Sequence, residues 1–322
     1  MFKKGNTIGN TPMIKINYEY KERKSYVYAK LEYYNLTGSI KDRVVYYIVE
    51  NATRRRDLKE NMPIIEATSG NTGISLSAIG ALYKHPVYIY MPDWASKERV
   101  SIMEAYGATV KLISKEEGGF LRCIEEAKKM AKDKNGFLAN QFSNKDNILA
   151  HYETTAPEII EQSAEKLYGF VSGVGTGGTL MGTGIKLKEK YNNLKIVAVE
   201  PDKMPIISKG IRIDQHKIEG IGDDFVPDLL DISKLDDVIL VNDDDAINMS
   251  KKLAKELGLG VGISSGANFI GAILLEEKIK KPVVTIFVDD NKKYVSTDLC
   301  KDVKEKEEYI SSGIKLIDYK IM

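Results

Sequence analysis

The stretch MPIIEATSGNTGISLSAIGALY, residues 62–83, decides the fold class of this 322-residue chain. Its first part is a short apolar run ending in Ser and Gly, which predicts a buried strand followed by a turn. Its second part, NTGISLSAIGALY, predicts a helix. Similar pairs follow along most of the chain, with apolar strands such as HPVYIYMP and PVVTIFVDD. Apolar strands that alternate with helices predict an α/β fold with mostly parallel sheets, covered by helices on both faces.

The length, charge and cysteine content of the chain argue against several classes of protein. The chain is longer than one hydrophobic core usually supports, so we expect two domains. Its 47 basic and 46 acidic residues give a net charge of +1, which does not indicate nucleic-acid binding. The two cysteines, Cys123 and Cys300, are too few for a disulfide framework, and we expect both to be buried. The three histidines lack metal-ligand spacing, so we expect no metal site.

The ends and one internal passage of the chain bear on its organisation. The N-terminus has no apolar run typical of a signal peptide, and no stretch is long enough to cross a membrane. We therefore expect a cytoplasmic protein that acts on small molecules and has no membrane partner. The polar passage at 140–159 is the predicted domain junction. The charge-rich tail from about residue 301 predicts a peripheral helix or a dimer arm.

Two turns between a strand and a helix carry groups that suit an anion, and ligands of α/β proteins bind at this end of the strands. The first, TSGNTG at 68–73, offers hydroxyls and backbone amides at a helix start, which suits a substrate carboxylate. A capped tight turn with no ligand is the alternative, because these are also common turn residues. The second, SGVGTGGT at 172–179, lets the backbone approach a phosphate, and Thr176 and Thr179 add hydroxyl donors.

The second loop is also compatible with a dinucleotide-binding site. Gly173, Gly175 and Gly178 satisfy the pattern G-x-G-x-x-G, and Glu200 closes the next strand at a distance suited to a ribose contact. An NAD-dependent dehydrogenase is therefore an open alternative from these residues alone.

A third turn, GISSG at 262–266, opens a helix and places Ser264 where its hydroxyl could meet a ring nitrogen. A simple N-cap serine is the alternative.

The stretch LTGSIKDR, 36–43, draws attention to a lysine. Ser39 and Asp42 predict a capping box, which places Lys41 in the first turn of a helix. The helix dipole disfavours an ammonium there and lowers its pKa. A neutral amine is the nucleophile that forms a Schiff base. A phosphate cradle, a carboxylate cradle and an activated lysine together predict pyridoxal phosphate and an amino-acid substrate.

Several motifs, taken in order, resemble the cysteine synthase family, which comprises O-acetylserine sulfhydrylases and cystathionine β-synthases. They are IGNTP (8–12), TGSIKDR (37–43), TSGNTG (68–73), GVGTGGT (173–179), EGIG (219–222) and GISSG (262–266). The resemblance runs from about residue 5 to about residue 300. It implies pyridoxal phosphate as cofactor and the tryptophan synthase β fold, also called fold type II, with two three-layer domains. The stretches AHYETTAPEI and EGIGDDFVPDLLD look closer to the cystathionine β-synthase branch.

The resemblance implies a role for each matching position. Lys41 matches the Schiff-base lysine, Asn71 the partner of the cofactor's ring hydroxyl, and Ser264 the partner of its pyridine nitrogen. The residues that match the family's phosphate loop are Gly175, Thr176, Gly177, Gly178 and Thr179. Those that match the family's substrate site are Thr68, Ser69, Thr72, Gln141 and Gly220.

The resemblance also implies how the chain is organised. It implies a homodimer in which a smaller domain, 38–146, moves on substrate binding against a larger one formed by 1–37 and 147–300. Residues 301–322 are left as a tail. It makes the dehydrogenase interpretation unlikely, since the glycine loop would serve a single phosphate.

Asp223 and Asp224 are the candidate acid–base residues. O-acetylserine sulfhydrylases typically read GIGAGF and cystathionine β-synthases roughly GIGYDF where this chain reads GIGDDF, so Asp223 departs from both. Two solvent-facing loop aspartates are the alternative. Hydroxide and thiolate leave less readily than acetate, and water is a poor nucleophile, so a carboxylate beside Cβ favours L-serine or L-cysteine as substrate.

We predict a β-replacement that exchanges thiol and hydroxyl groups, such as L-cysteine plus water to L-serine plus hydrogen sulfide. Condensation with a second thiol to cystathionine or lanthionine, or an O-acetylserine sulfhydrylase, are the alternatives.

Overall fold

The computed structural model describes residues 7–322. The strands are β1 (Met13–Tyr20), β2 (Arg23–Leu31), β3 (Ile64–Ala67), β4 (Val87–Pro92), β5 (Thr109–Ile113), β6 (Phe137–Leu138), β7 (Gly169–Gly173), β8 (Lys195–Pro201), β9 (Asp237–Val241), β10 (Val283–Phe287) and β11 (Ile314–Ile321). The α-helices are α1 (Lys41–Arg55), α2 (Asn71–Tyr83), α3 (Lys97–Ala105), α4 (Gly119–Asp133), α5 (Asp146–Ala150), α6 (Ala156–Gln162), α7 (Gly178–Lys190), α8 (Ile206–Lys209), α9 (Asp243–Leu257), α10 (Ile263–Ile279) and α11 (Ile310–Gly313). A π-helical turn, His151–Thr155, joins α5 to α6.

The larger sheet has seven strands in the order β11-β1-β2-β10-β7-β8-β9. Its centre, from β2 to β9, is parallel, whereas β1 runs antiparallel to both β2 and β11. The parallel strands are largely apolar, and β10 is buried along its whole length. Strands of this kind need cover on both faces. One face buries α9 and α10, and a separate apolar core with α7 fills the other.

The smaller sheet has four parallel strands in the order β5-β4-β3-β6. Helices α1 and α2 contribute to the core on one face, and α4 packs on the other through Cys123 and Ala127. Two mostly parallel sheets, each between layers of helices, are the predicted fold class.

The structure departs from the sequence-based expectations at four places. Strand β1 was not predicted, and residues 260–263 form an isolated bridge at Val261 instead of a strand. The C-terminal tail is neither a peripheral helix nor a free arm, because β11 pairs with β1 along most of its length. Cys123 is buried as expected, but Cys300 is exposed.

Loops that follow strands of both sheets line one pocket. The loop after β3, the loop after β7, the residues after β10 and the start of α1 all contribute to a shared pocket. Ligand sites at the carboxyl ends of strands are the rule in α/β folds. Among the helices of residues 7–322, none is long and apolar enough to span a membrane.

Candidate active site

Two adjoining compartments form the pocket between the sheets. Both are lined by Lys41, Gly175, Thr176, Gly220 and Ser264. The outer compartment adds Thr68, Ser69, Asn71, Thr72, Gln141 and Asp223, and the inner one adds Gly177 and Thr179. Of the residues predicted for the site, Gly178 and Asp224 line neither compartment.

Lys41 is the first residue of α1, as predicted, but the capping box does not form. The Asp42 carboxylate instead accepts hydrogen bonds from the Thr37 amide and hydroxyl and from the Ser75 hydroxyl. The pKa of Lys41 is lowered, and burial is the largest cause; the carboxylates of Asp289 and Asp223 oppose it. Desolvation therefore favours the neutral amine.

The loop from Gly175 to Thr179 is shaped for an anion at the start of α7. A Cβ at Gly175 would overlap the Gly220 carbonyl oxygen, and one at Gly178 would overlap the Asn147 side chain. Gly177 has φ +83°, which favours glycine. The first N–H groups of a helix have no partner within it, so they are available to a bound phosphate. This explains the role of Gly178: it allows α7 to begin against Asn147 and does not itself face the pocket.

Thr179 is supported from behind by His151 in the π-helical turn. His151 Nε2 lies 3.2 Å from Thr179 Oγ1, and Nδ1 lies 3.0 Å from Thr155 Oγ1. Burial lowers the pKa of His151 well below its usual value, with smaller contributions from the positive charges of Arg43 and Lys41. A neutral imidazole therefore positions the Thr179 hydroxyl at the end of the glycine loop.

The predicted substrate loop is held by a buried carboxylate. Thr72 Oγ1 donates to Gln141 Oε1 at 2.6 Å. Glu66 accepts from the Gln141 amide at 3.0 Å and from the Ala67 amide at 2.8 Å. Burial raises the pKa of Glu66 to about 7, although these amide hydrogen bonds oppose the shift. Thr68 is buried beside them, whereas Ser69 is open to solvent.

Asn71 and Ser264 both line the outer compartment. Asn71 Nδ2 donates to Asp289 Oδ2 at 2.6 Å, and Asn71 Oδ1 is buried without a hydrogen-bond partner. Tyr294 also donates to Asp289 Oδ2, at 2.6 Å. Ser264 is in the first turn of α10 and is 2% exposed. The orphaned amide oxygen, the glycine cradle and the desolvated Lys41 fit a ligand with a phosphate, a polar ring and a carbonyl, which pyridoxal phosphate provides.

Asp223 and Asp224 have different environments. Asp223 is half-buried and lines the outer compartment. Its pKa is raised to about 6, mainly by burial; Lys41 opposes the shift and Asp224 adds to it. Asp224 is exposed and forms an ion pair with Arg212 at 2.8 Å. Only Asp223 is therefore placed to reach a ligand in the pocket.

Several residues that line the pocket or support it were not identified from the sequence. Arg99 and Glu219 both line the outer compartment and form an ion pair, and Arg99 also stacks on Tyr294. Asn147 donates to both Thr176 Oγ1 and the Gln141 carbonyl oxygen, at 2.9 Å each. These residues are joined by contacts distant in sequence. Asp289 was the only one of these residues with a local signal, because it lies two residues after the end of β10.

Glu200, the residue of the dehydrogenase alternative, is fully engaged elsewhere. It is 1% exposed, and its two oxygens accept from the Ile207 and Ser208 amides at the start of α8. It is therefore not available to a ribose.

Comparison with known proteins identifies the family. A family model described as pyridoxal-phosphate dependent enzyme matches residues 5–289. The chain belongs to this family. It is 39% identical over 295 residues to a cysteine synthase of Staphylococcus aureus, covering 91% of this chain and 94% of that protein. It is 40% identical over 298 residues to a probable cysteine synthase of Bacillus subtilis, covering 91% and 95%. The crystal structure of a hydrogen sulfide-producing enzyme from Fusobacterium nucleatum superimposes with a TM-score of 0.95 and 49% identity, covering 98% and 96%.

These findings confirm several predictions made from the sequence. The cofactor is pyridoxal phosphate, the fold is type II, and the protein is a β-replacement enzyme of cysteine metabolism. The match to this family leaves the dehydrogenase alternative without support.

Proposed function

We propose that this enzyme converts L-cysteine and water to L-serine and hydrogen sulfide. One observation carries the proposal: the Asp223 carboxyl, with a pKa raised to about 6, lines the same compartment as Lys41 and the substrate loop. Such a group exists in both protonation states near neutral pH, as acid–base catalysis requires. The hydrogen sulfide-producing enzyme of Fusobacterium nucleatum, 49% identical, lends support.

The other residues of the site would bind and orient the two ligands. Lys41 would hold pyridoxal phosphate covalently, and the loop from Gly175 to Thr179 would bind its phosphate. Asn71 and Ser264 would fix its ring. The hydroxyls and amides of Thr68, Ser69, Thr72 and Gln141 would bind the substrate carboxylate, beside Gly220. When bound, the cofactor supplies an electron sink for the bonds at the substrate's Cα and Cβ.

Lys41 and Asp223 divide the proton transfers between two carbon atoms. The neutral Lys41 amine accepts the proton of Cα, since its pKa is lowered. At Cβ, the carbon–sulfur bond breaks and the sulfur leaves with its electron pair, taking the Asp223 proton to give hydrogen sulfide. The Asp223 carboxylate then accepts a proton from the water that attacks Cβ. The carboxyl group returns to its starting state, and one water replaces one hydrogen sulfide.

Product analysis with separate amino acids tests this proposal. The wild-type enzyme should release hydrogen sulfide from L-cysteine and form an equal amount of L-serine. Asp223→Asn should lower this turnover by about 10²–10⁴-fold, the usual contribution of acid–base catalysis. It should spare cysteine formation from O-acetylserine and sulfide, since acetate and sulfide need no such group. Asp224→Asn is the matched control and should behave as wild type. Equal loss with both substrates, or full cysteine turnover in Asp223→Asn, would refute the role of Asp223.

An O-acetylserine sulfhydrylase is the second candidate function. The names of the Staphylococcus aureus and Bacillus subtilis relatives favour it. Under this alternative, O-acetylserine plus sulfide would turn over much faster than L-cysteine in water, and Asp223 could be replaced without loss.

We also propose that the chain is a cytoplasmic homodimer with a mobile smaller domain, 38–146. Exposed apolar side chains at Tyr34, Tyr319 and Ile321 support a surface that a second copy covers. The two unpaired cysteines are consistent with a reducing compartment. Sedimentation of the purified protein tests the dimer, and fractionation of cells tests the cytoplasmic location.

A further inference from the structure

Glu66 is a buried carboxylate behind the substrate site that the proposed mechanism does not use. It is the third residue of β3, is 4% exposed, and lines neither compartment of the pocket. Its Oε2 accepts from the Gln141 amide at 3.0 Å, and its Oε1 accepts from the Ala67 amide at 2.8 Å. Both amides belong to segments that reach the pocket, because Gln141 lines the outer compartment and Ala67 directly precedes Thr68. Glu66 therefore acts on the site through the backbone, without touching a ligand.

Gln141 connects the substrate loop to the glycine loop. Its side-chain Oε1 accepts from the Thr72 hydroxyl at 2.6 Å, and Thr72 lies in the first turn of α2. Its backbone carbonyl oxygen accepts from Asn147 Nδ2 at 2.9 Å, and the same nitrogen donates to Thr176 Oγ1 at 2.9 Å. The hydrogen bond from its backbone N–H to Glu66 is a third attachment. Loss of the Glu66 acceptor would therefore release Gln141 on one side.

The orientation of the Gln141 side chain matters for a carboxylate ligand. Because Oε1 is engaged by Thr72, Nε2 is the group that donates to a ligand in the compartment that Gln141 lines. Nε2 carries two N–H groups, and its acceptor within the described part of the chain is the Ala67 carbonyl oxygen at a long 3.4 Å. A carboxylate binds such donors, and a displaced Gln141 would lose this contact.

The surroundings of Glu66 are apolar apart from these amides. It shares a face of β3 with Ile64, against the core formed with α1 and α2, and its neighbour on β4 is Ile89. Helix α2 has no charged residue. The charged groups of α1 and α5 have other contacts: Lys41 lines the pocket, Asp42 binds Thr37 and Ser75, Arg43 pairs with Glu32 and Glu158, Glu50 accepts from Tyr83 and pairs with Arg54, and Arg55 pairs with Asp146. The ionisation of Glu66 is therefore set by burial and by backbone amides.

We propose that Glu66 is a positioning residue: its ionised form holds Gln141 in place for the substrate carboxylate, so that protonation of Glu66 weakens amino-acid binding. This inference rests on the substrate site of the proposed function. An ionised carboxyl group accepts at both oxygens, whereas a protonated one turns an oxygen into a donor that faces an amide N–H. Burial raises the pKa of Glu66 to about 7, so this change takes place near neutral pH. The affinity for an amino acid should therefore fall as the pH drops through about 7.

The pH dependence of L-alanine binding tests the proposal. L-alanine has no leaving group at Cβ, and its Kd for the holoenzyme is read from the absorbance of the bound cofactor. At pH 8, Glu66→Gln should raise this Kd by about tenfold or more, the scale of one hydrogen bond to a charged group. The ratio of the two Kd values should approach one at pH 5.5, because wild-type Glu66 is then protonated as well. The ratio cancels the titrations of Asp223, Lys41 and the ligand, which both proteins share.

Three results would overturn the proposal. These are a ratio of one at pH 8, a raised ratio that stays constant between pH 5.5 and 8, and tighter binding in Glu66→Gln. Tighter binding would mean that repulsion between two carboxylates outweighs positioning. Glu66→Met, which removes both acceptors without adding a donor, should weaken L-alanine binding at pH 8 at least as much, and it replaces Glu66→Gln if that variant does not fold.

Two controls separate positioning from a general loss of structure. L-alaninamide lacks the carboxylate, so Glu66→Gln should leave its Kd unchanged. An equal loss with L-alanine and L-alaninamide would assign the effect to disorder of the pocket and overturn the proposal. Glu276→Gln changes a carboxyl group that is 3% exposed on α10, where it accepts from the Tyr18 hydroxyl. This matched change on the larger sheet should leave the Kd of L-alanine unchanged.

Turnover with two amino-acid donors separates this inference from the proposed function. In Glu66→Gln, KM should rise about tenfold for both L-cysteine and O-acetylserine with kcat largely kept, since both carry the same carboxylate. If L-cysteine gives no hydrogen sulfide in the wild type but KM for O-acetylserine rises as expected, the proposed function fails and the role of Glu66 stands. If L-cysteine is converted to L-serine but its KM is unchanged in Glu66→Gln, the proposed function stands and this inference fails.

Discussion

Replacement of Arg99 should weaken amino-acid binding, because this side chain joins loops from the two sheets. Arg99 lies on α3 and packs so closely against Gly70 that a Cβ added to this glycine would lie 2.8 Å from Arg99 Cδ. Its guanidinium also donates to the Ser69 carbonyl oxygen at 3.4 Å. On the other side it pairs with Glu219 and places its guanidinium 4.6 Å from the centre of the Tyr294 ring. The substrate loop and the loop that carries Asp223 are therefore tied through one buried cation.

The size of the effect follows from these contacts. The stacking on Tyr294 contributes about 1–2 kcal/mol for a desolvated cation. The ion pair contributes about 1 kcal/mol, since the Glu219 side chain is 30% exposed and can turn to water when its partner is removed. A total of about 2–3 kcal/mol corresponds to a roughly 30- to 150-fold rise in the Kd of an amino acid bound between the loops.

Fluorescence of the single tryptophan, Trp94, offers the assay. Trp94 lies just before α3, and L-alanine binds without reacting because it has no leaving group at Cβ. L-alanine should quench or enhance this fluorescence in the wild type, and Arg99→Ala should shift the titration to higher concentration by the factor above. Arg99→Lys should show a smaller shift, since it keeps the charge without the planar stacking. Lys97→Ala, an exposed change on the same helix, is the control. An unchanged Kd in Arg99→Ala, with the cofactor still bound, would refute the reasoning.

Four further outcomes are expected. Borohydride reduction of the holoenzyme followed by peptide mapping should place the pyridoxyl group on Lys41, and labelling of another lysine would contradict the assignment. Thr176→Val should weaken cofactor retention in dialysis by about tenfold, since it removes one hydroxyl from the phosphate loop. Gly178→Ala should reduce both cofactor affinity and thermal stability, because the added Cβ overlaps the Asn147 side chain. Serine formation from O-acetylserine without sulfide should fall as the pH drops through about 6, since Asp223 must be ionised to accept the proton of water; the pH step should vanish in Asp223→Asn.

Local sequence patterns predicted those features that depend on neighbouring residues. Strand β3, the turn after it and helix α2 follow directly from the stretch at 62–83, because burial on a parallel strand and turn chemistry act within a few residues. The position of Lys41 at the start of α1 was predicted for the same reason. The cause of its lowered pKa was not, because burial depends on loops that arrive from the rest of the chain.

Pairing across the sequence was the part that local patterns could not predict. Strand β1 meets β11 about 300 residues later, and its alternating polar residues match an antiparallel edge region. Asp42 resembled a capping residue because only its spacing from Ser39 was visible, whereas Thr37 and Ser75 bind it in the structure. Arg99 and Glu219 are 120 residues apart, and neither lies in a motif that indicates a partner.

Asp223 would act on any nucleophile that loses a proton as it attacks Cβ. Thiols have pKa values near 8.5 and water is far less acidic, so both nucleophiles profit from a carboxylate that accepts a proton at Cβ. Asp223 therefore sets how fast either one reacts, and it cannot by itself decide between them. It follows that Asp223→Asn should lower the formation of serine by water and of thioethers by thiols together, and should leave the ratio of the two products unchanged.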